Sequence, residues 1–190
     1  MHRSRAPDYH LRVSNASPAV DEEIHDSPVG NVALHIREYL ATGGRVGHVH
    51  RGRRTLLLTT RGRRTGKARR TALIYGRHGE SYVLVASHAG APRHPAWYLN
   101  LVAHPEVQVQ VGAERFTGVA RTADPDERAA LWPLMVAEFH MFDRYQVKAG
   151  DRQIPIAILE PKRSSAPRVT TRRTGPGAGR RYGPCRERSG

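Results

Sequence analysis

The sequence predicts an α+β fold in which about six mainly antiparallel strands form one barrel-like sheet flanked by three modest helices. Short apolar runs recur with Gly-bearing turns between them, while helical periodicity appears only three times. A doubly wound parallel sheet needs a helix after nearly every strand, and that alternation is missing. The length, 190 residues, suits one domain with a real core and room for polar ends.

The elements follow in chain order. Val32, Ile36, Tyr39 and Leu40 share one helical face, preceded by Ser27-Pro28 and stopped by Gly43-Gly44. Thr55-Leu56-Leu57-Leu58-Thr59-Thr60 and Thr71-Ala72-Leu73-Ile74-Tyr75 read as strands around a basic turn, and Tyr82 to Ser87 as a third strand. A short helix follows from His94 to Leu101, opened by Pro95 and closed before Pro105. Val107-Gln108-Val109-Gln110-Val111 alternates strictly, as a strand with one wet face does, and turns at Gly112 into Arg115 to Thr122. Asp124-Pro125-Asp126-Glu127 carries a cap, a proline at the first helical position and an acid at the third, and so starts a helix burying Leu131, Leu134 and Met135. Ile154 to Leu159 is the last strand, ended by Pro161.

Residues 1–27 mix Pro, Ser, His and Asp without a period and are expected to form a disordered arm. Residues 28–162 are the expected domain. Residues 163–190 hold almost nothing apolar, so burial there cannot offset the entropy of ordering, and a disordered basic tail is expected.

Charge is unevenly spread. The net +14 divides into −2 over residues 1–29, +9 over 30–162 and +7 over 163–190. Such an excess calls for an anionic partner: nucleic acid, a lipid surface, or a phosphorylated or carboxylated cofactor. Cys185 is the only cysteine, which excludes an internal disulfide and a cysteine-based zinc or iron–sulfur site. No apolar stretch is long enough to span a membrane and the first residues carry no hydrophobic signal core, so a cytoplasmic protein is expected, with peripheral contact at the inner face of the membrane left open.

Ten of the 26 residues from Arg45 to Arg70 are Lys or Arg and none is acidic. At its centre, Arg61-Gly62-Arg63-Arg64-Thr65-Gly66-Lys67 combines glycines that free backbone N–H groups with forked guanidinium donors, a pairing suited to phosphate or carboxylate. It is not a nucleotide-hydrolysing P-loop: only three residues separate the glycines, and Ala68 follows the lysine. His48-Val49-His50 lacks a third ligand at a useful spacing, so no metal is expected. Ser87 has no Gly-x-Ser-x-Gly elbow. Ser87 to His94 is instead a loop of small residues with Arg93 and His94, leading into a helix start that favours anions. Trp97 and Tyr98, one turn inside, suit either core packing or the wall of a flat ring. Phe139, Phe142 and Tyr145 fall three apart, again as core or as a lid whose phenol orients or protonates a substrate.

From Leu57 to Pro161 the sequence resembles the deazaflavin-dependent nitroreductase family, actinobacterial proteins that use coenzyme F420 on a split β-barrel. The likeness rests on Thr-Thr-x-Gly-Arg-Arg-Thr-Gly-x-x-Arg at 59–69, Val-Ala-Ser at 85–87, Pro-x-Trp-Tyr-Leu-Asn-Leu at 95–101, Val-Gln-Val at 107–109, Tyr-Gln at 145–146 and Ile-Pro-Ile at 154–156. It implies that Arg63, Arg64, Thr65 and Arg69 grip the phosphate and carboxylate tail, while Arg70, Thr71, Leu73 and Ile74 border the ring. Ser87, His88, Ala96, Trp97, Tyr98 and Asn100 would complete the groove, with Ser87 or Tyr145 as the catalytic group. The chain departs from the family in having Arg64 for Lys, His88-Ala89-Gly90 for Lys-Gly-Gly, and Ile74, Phe139 and Phe142 where nitro-reducing members carry tyrosine.

The implied activity is hydride transfer from F420H2 to a planar quinone, enone or nitroaromatic, a small-molecule acceptor, with no obligatory nucleic acid and an open oligomeric state. FMN is the alternative cofactor, since split barrels of related shape bind it. A non-catalytic F420- or FMN-binding protein and a basic nucleic-acid-binding protein are the competing functions.

Overall fold

The computed structural model describes residues 23–162; the expected basic tail and most of the expected arm lie outside them. Nine strands form one open sheet: β1 (Ile24–Asp26), β2 (Val49–His50), β3 (Arg53–Arg61), β4 (Ala68–Ile74), β5 (Gly76–His78), β6 (Ser81–Val85), β7 (Glu106–Val111), β8 (Glu114–Thr122) and β9 (Ile156–Pro161). Their order is β1-β4-β3-β7-β8-β9-β6-β5, with β2 paired on β3. Every pairing is antiparallel except β1 with β4.

Six of the nine are the strands expected from sequence. The three others, β1, β2 and β5, have two or three residues each, too short to show a period of two. β1 falls within the stretch expected to be a disordered arm, held by parallel pairing of His25 with Arg69 and Asp26 with Arg70.

Four helices, one more than expected, pack on the sheet: α1 (Gly30–Ala41), α2 (Ala96–Ala103), α3 (Pro125–Glu138) and α4 (Met141–Lys148). The fourth takes in Phe142 and Tyr145 of the aromatic stripe, while Phe139 is the C-cap of α3. α3 begins with the expected capping box, Asp124 accepting from Glu127 N–H while Glu127 accepts from Asp124 N–H. Arg121 donates two hydrogen bonds of 2.7 Å to the Glu127 carboxylate, which holds its pKa down at about 2, well below the usual glutamate range.

Both faces of the sheet are covered, which is why β3 reads Leu-Leu-Leu rather than alternating. Leu56 and Leu58 join Leu84, Val109, Leu159, Tyr98 and Leu101 in the core beneath α2. Leu57 points the other way, onto Ile36 and Tyr39 of α1. Val83, Ile156 and Ile158 meet Leu131, Met135 and Phe142 of α3 and α4. Each fully buried leucine contributes about 2 kcal/mol by transfer from water. Tyr39 then pins α1, its hydroxyl donating to Thr55 O at 3.2 Å and accepting from Gly112 N–H at 2.7 Å.

Candidate functional site

A cavity of about 620 Å³ opens between the β3–β4 turn, the length of β4, the β6–α2 loop and the β1–α1 segment. The turn is built by Gly62, whose N–H donates to Lys67 O at 2.8 Å, and by Gly66, at φ +70°, whose N–H donates to Gly62 O at 2.7 Å. Only glycine adopts the latter φ freely. The closure leaves Arg63, Arg64 and Thr65 exposed at the mouth.

Asn100, buried on α2, fixes this turn. Its Oδ1 accepts from Arg63 N–H and from Arg63 Nη1, and its Nδ2 donates to Thr60 Oγ1 at 3.2 Å. Among the described residues no carboxylate pairs with Arg63, Arg64 or Arg69, so their charge is free for an incoming anion. Arg70 is different: its Nε donates to Asp26 Oδ1 at 2.6 Å.

The opposite wall is a strained loop. Ser87 is right-handed, at φ −68° and ψ −41°, and His88 and Ala89 both take φ 51° before Gly90 at φ 73°. Left-handed conformation in two consecutive non-glycine residues costs about 1 kcal/mol or more at each, and the surroundings must over-determine it. They do so through Arg152, whose guanidinium donates to Ala91 O at 2.9 Å, Ser87 O at 2.8 Å and Ala86 O at 3.4 Å, and lies 3.3 Å from His94 Nδ1. Gln146 braces the segment carrying Arg152 by donating to Arg152 O and accepting from Ile154 N–H. A right-handed residue followed by left-handed ones turns successive N–H groups to one side, which makes a concave anion receptor.

Along β4 the cavity grades from charged to apolar. Arg69 and Arg70 lie near the turn, while Leu73 lies further along β4 and, with Val85, Ala96 and Trp97, gives the same cavity an apolar lining. A cavity whose lining combines cations with aromatic and apolar side chains fits a flat ring system bearing an anionic tail. That donor set suits F420, whose tail carries phosphate and carboxylate groups.

A family model described as F420H(2)-dependent quinone reductase matches residues 31–161. The chain belongs to this family. Membership makes it an F420H2-dependent oxidoreductase of the quinone reductase type, with coenzyme F420 as its cofactor. An F420H(2)-dependent quinone reductase of Mycobacterium tuberculosis is 39% identical over 130 residues, covering 66% of this chain and 87% of that one. A solved F420-H2 dependent reductase, FDR-A, is 38% identical with TM-score 0.52, covering 56% of this chain and 93% of that one. Another solved relative, described as a domain-swapped dimer, is 36% identical with TM-score 0.54 over 67% of this chain and 96% of that one.

In this quinone reductase family member, twelve of the fourteen residues expected at the cofactor line the cavity: Arg63, Arg64, Thr65, Arg69, Arg70, Thr71, Leu73, Ser87, His88, Ala96, Trp97 and Asn100. Ile74 and Tyr98 do not. Tyr98 is in the core, its hydroxyl 3.0 Å from Thr122 Oγ1. Tyr145 also lies outside the lining, within an aromatic cluster with Phe139 and Phe142. Sequence reading missed Arg152, which sits in a polar turn some 60 residues from its partners, and the wall formed by His25, Asp26, Ser27, Pro28, Val29 and Val32. The Ser27-Pro28 helix start was the only local signal for that wall. Among the described residues no cluster of three or more His, Cys, Asp or Glu could hold a metal, and no helix is long and apolar enough to cross a membrane.

Proposed function

We propose that this chain transfers a hydride from F420H2 to a quinone, with the cavity holding both partners. The observation that carries the reading is the mixed lining of the cavity: Arg63, Arg64 and Arg69, none paired with a carboxylate among the described residues, together with Leu73, Val85 and Trp97. Bound F420H2 supplies the hydride; the quinone takes it together with one proton and leaves as the quinol.

The chain's own residues bind, orient and exclude water. Arg63, Arg64, Thr65 and Arg69 hold the phosphate and carboxylates, Asn100 keeps Arg63 in place, and Thr71 and Leu73 border the ring. Trp97 and Ala96 close its far side. The Ser87 hydroxyl, at the junction of the strand end and the strained loop, is our choice for the group that orients the acceptor oxygen and relays its proton. Tyr145 supports that loop from behind, because the Gly90 backbone packs against Tyr145 O too closely to admit a Cβ, which would lie 2.8 Å away.

We also read the sheet as a split barrel, supported by the approach of β4 to β6 across the cavity. A cytoplasmic enzyme meeting lipid-soluble quinones at the inner face of the membrane is consistent with exposed Val29 in the cavity wall. Fluorescence titration with F420, followed by anaerobic oxidation of F420H2 on adding a naphthoquinone, tests the reading. Saturable binding and quinone-dependent oxidation are expected; binding of FMN but not F420, or F420 binding without turnover on any quinone, rejects it.

A further inference from the structure

The basic turn with β4, the Ser87–Ala89 loop and α2 supply the side chains that hold the cofactor in the reading above. A further wall of the same cavity, where β1 passes into α1, has no share in that task. From Ser27 to Leu34 the sequence carries no charged side chain, in a chain of net charge +14.

Strand pairing sets where this wall stands. Asp26 pairs with Arg70 of β4, and Ser27 N–H donates to Arg70 O at 2.9 Å. The chain then passes through Pro28 and Val29 into α1, whose Val32 packs, like Ala72 of β4, against Ile36, Tyr39 and Leu57. Pro28, Val29, Val32 and Ala72 all line the cavity. Their side chains hold no donor or acceptor, so they bind neither phosphate nor carboxylate and suit hydrocarbon alone. Val29 is 56% exposed, so the apolar strip continues from the cavity lining to the open surface.

A hydride acceptor lies against the ring of its donor, with the reacting atoms about 3–3.5 Å apart. Its carbonyl oxygen is the part assigned to Ser87, and a substituent on the quinone ring needs a surface of its own. We propose that Pro28, Val29 and Val32 are the specificity-determining wall for the acceptor: they receive an alkyl substituent of the quinone, so that alkylated quinones are preferred to unsubstituted ones. This rests on the quinone reductase reading and names its substrate more closely. Each methylene laid along the wall leaves water and adds up to about fourfold in affinity. Val29 is also the N-cap of α1 and makes no side-chain capping bond there. Val29→Ser removes the apolar surface while supplying a preferred capping hydroxyl, so it probes the wall without weakening the helix.

The test is steady-state oxidation of F420H2 by the full chain, in lipid-free buffer, with naphthoquinone and with a hexyl-substituted naphthoquinone, alongside fluorescence titration with F420. The wild type should show a KM for the hexyl compound about tenfold or more below that for the parent. Val29→Ser should raise the KM for the hexyl compound about tenfold more than that for the parent, with the Kd for F420 held within about twofold. Val29→Leu, which keeps hydrocarbon at the site, should retain the preference. Equal KM values for the two quinones in the wild type overturn the proposal, as does an equal change for both in Val29→Ser. A Kd for F420 that rises in Val29→Ser as much as the KM does overturns it as well, because the wall would then belong to the cofactor. If the wild type neither binds F420 nor oxidises F420H2 with either quinone, the reductase reading itself fails and the inference falls with it.

Discussion

Asn100 Oδ1 accepts two hydrogen bonds from Arg63, one from its backbone N–H at 3.2 Å and one from its guanidinium at 3.3 Å. A single buried amide on α2 thereby sets both the backbone and the side chain of the basic turn. Asn100→Ala leaves these donors and the Thr60 hydroxyl without their partner, and a loss of about 2 kcal/mol of stability is expected in chemical denaturation. Asn100→Asp keeps an acceptor for each donor but puts a negative charge against Arg63. It should retain stability better than the alanine variant while weakening F420 binding more than tenfold. Equal affinity of Asn100→Asp and the wild type would show that Arg63 does not face the cofactor.

Arg152 stabilises a loop that is strained at His88 and Ala89, and only a planar fork reaches its separate acceptors together. Arg152→Lys should therefore behave as a loss. The expected result is faster amide exchange at Gly90 and Ala91, whose N–H groups donate within this loop, with weaker F420 binding. Free guanidinium at millimolar concentration should partly restore affinity in Arg152→Ala; no restoration would argue that the defect is global.

Acid should destabilise the fold through two histidines. Burial lowers the pKa of His94, helped by the Arg152 guanidinium, and burial followed by the charges of His35 and Arg51 lowers that of His50. The folded state thus favours the neutral rings, while the unfolded chain binds protons below about pH 6.5. Their contribution is complete above that pH and is lost as pH falls through the lower folded values. The Tm should decline from about pH 7 to about pH 5, and the decline should be shallower in His94→Gln combined with His50→Gln. Parallel curves would assign the acid sensitivity elsewhere.

Among the described residues Asp26 is the only carboxylate lining the cavity, and it neutralises Arg70. Asp26→Asn keeps a hydrogen-bond acceptor for Arg70 and removes the negative charge. F420 affinity should rise about threefold at low salt, with the gain shrinking as salt screens the site. Weaker binding would mean that the ion pair matters chiefly for seating β1.

The parts of this protein that declare themselves locally were legible in the sequence. The capping box at Asp124–Glu127 satisfies the donors of its own helix turn, the alternation from Val107 to Val111 reports its own two environments, and the charge of the basic turn needs no partner to be seen. Of these features, only the charge of the basic turn pointed to an anionic ligand. The tertiary structure alone decided what depends on distant pairing: that β1, three residues without a pattern, closes the cavity by lying along β4; that Asn100 reaches Arg63 from 37 residues away; and that Arg152 holds the Ser87–Ala91 loop. No window of sequence contains both partners of such a contact, and a lone histidine, asparagine or arginine carries no periodicity, so its role exists only once the chain has folded back on itself.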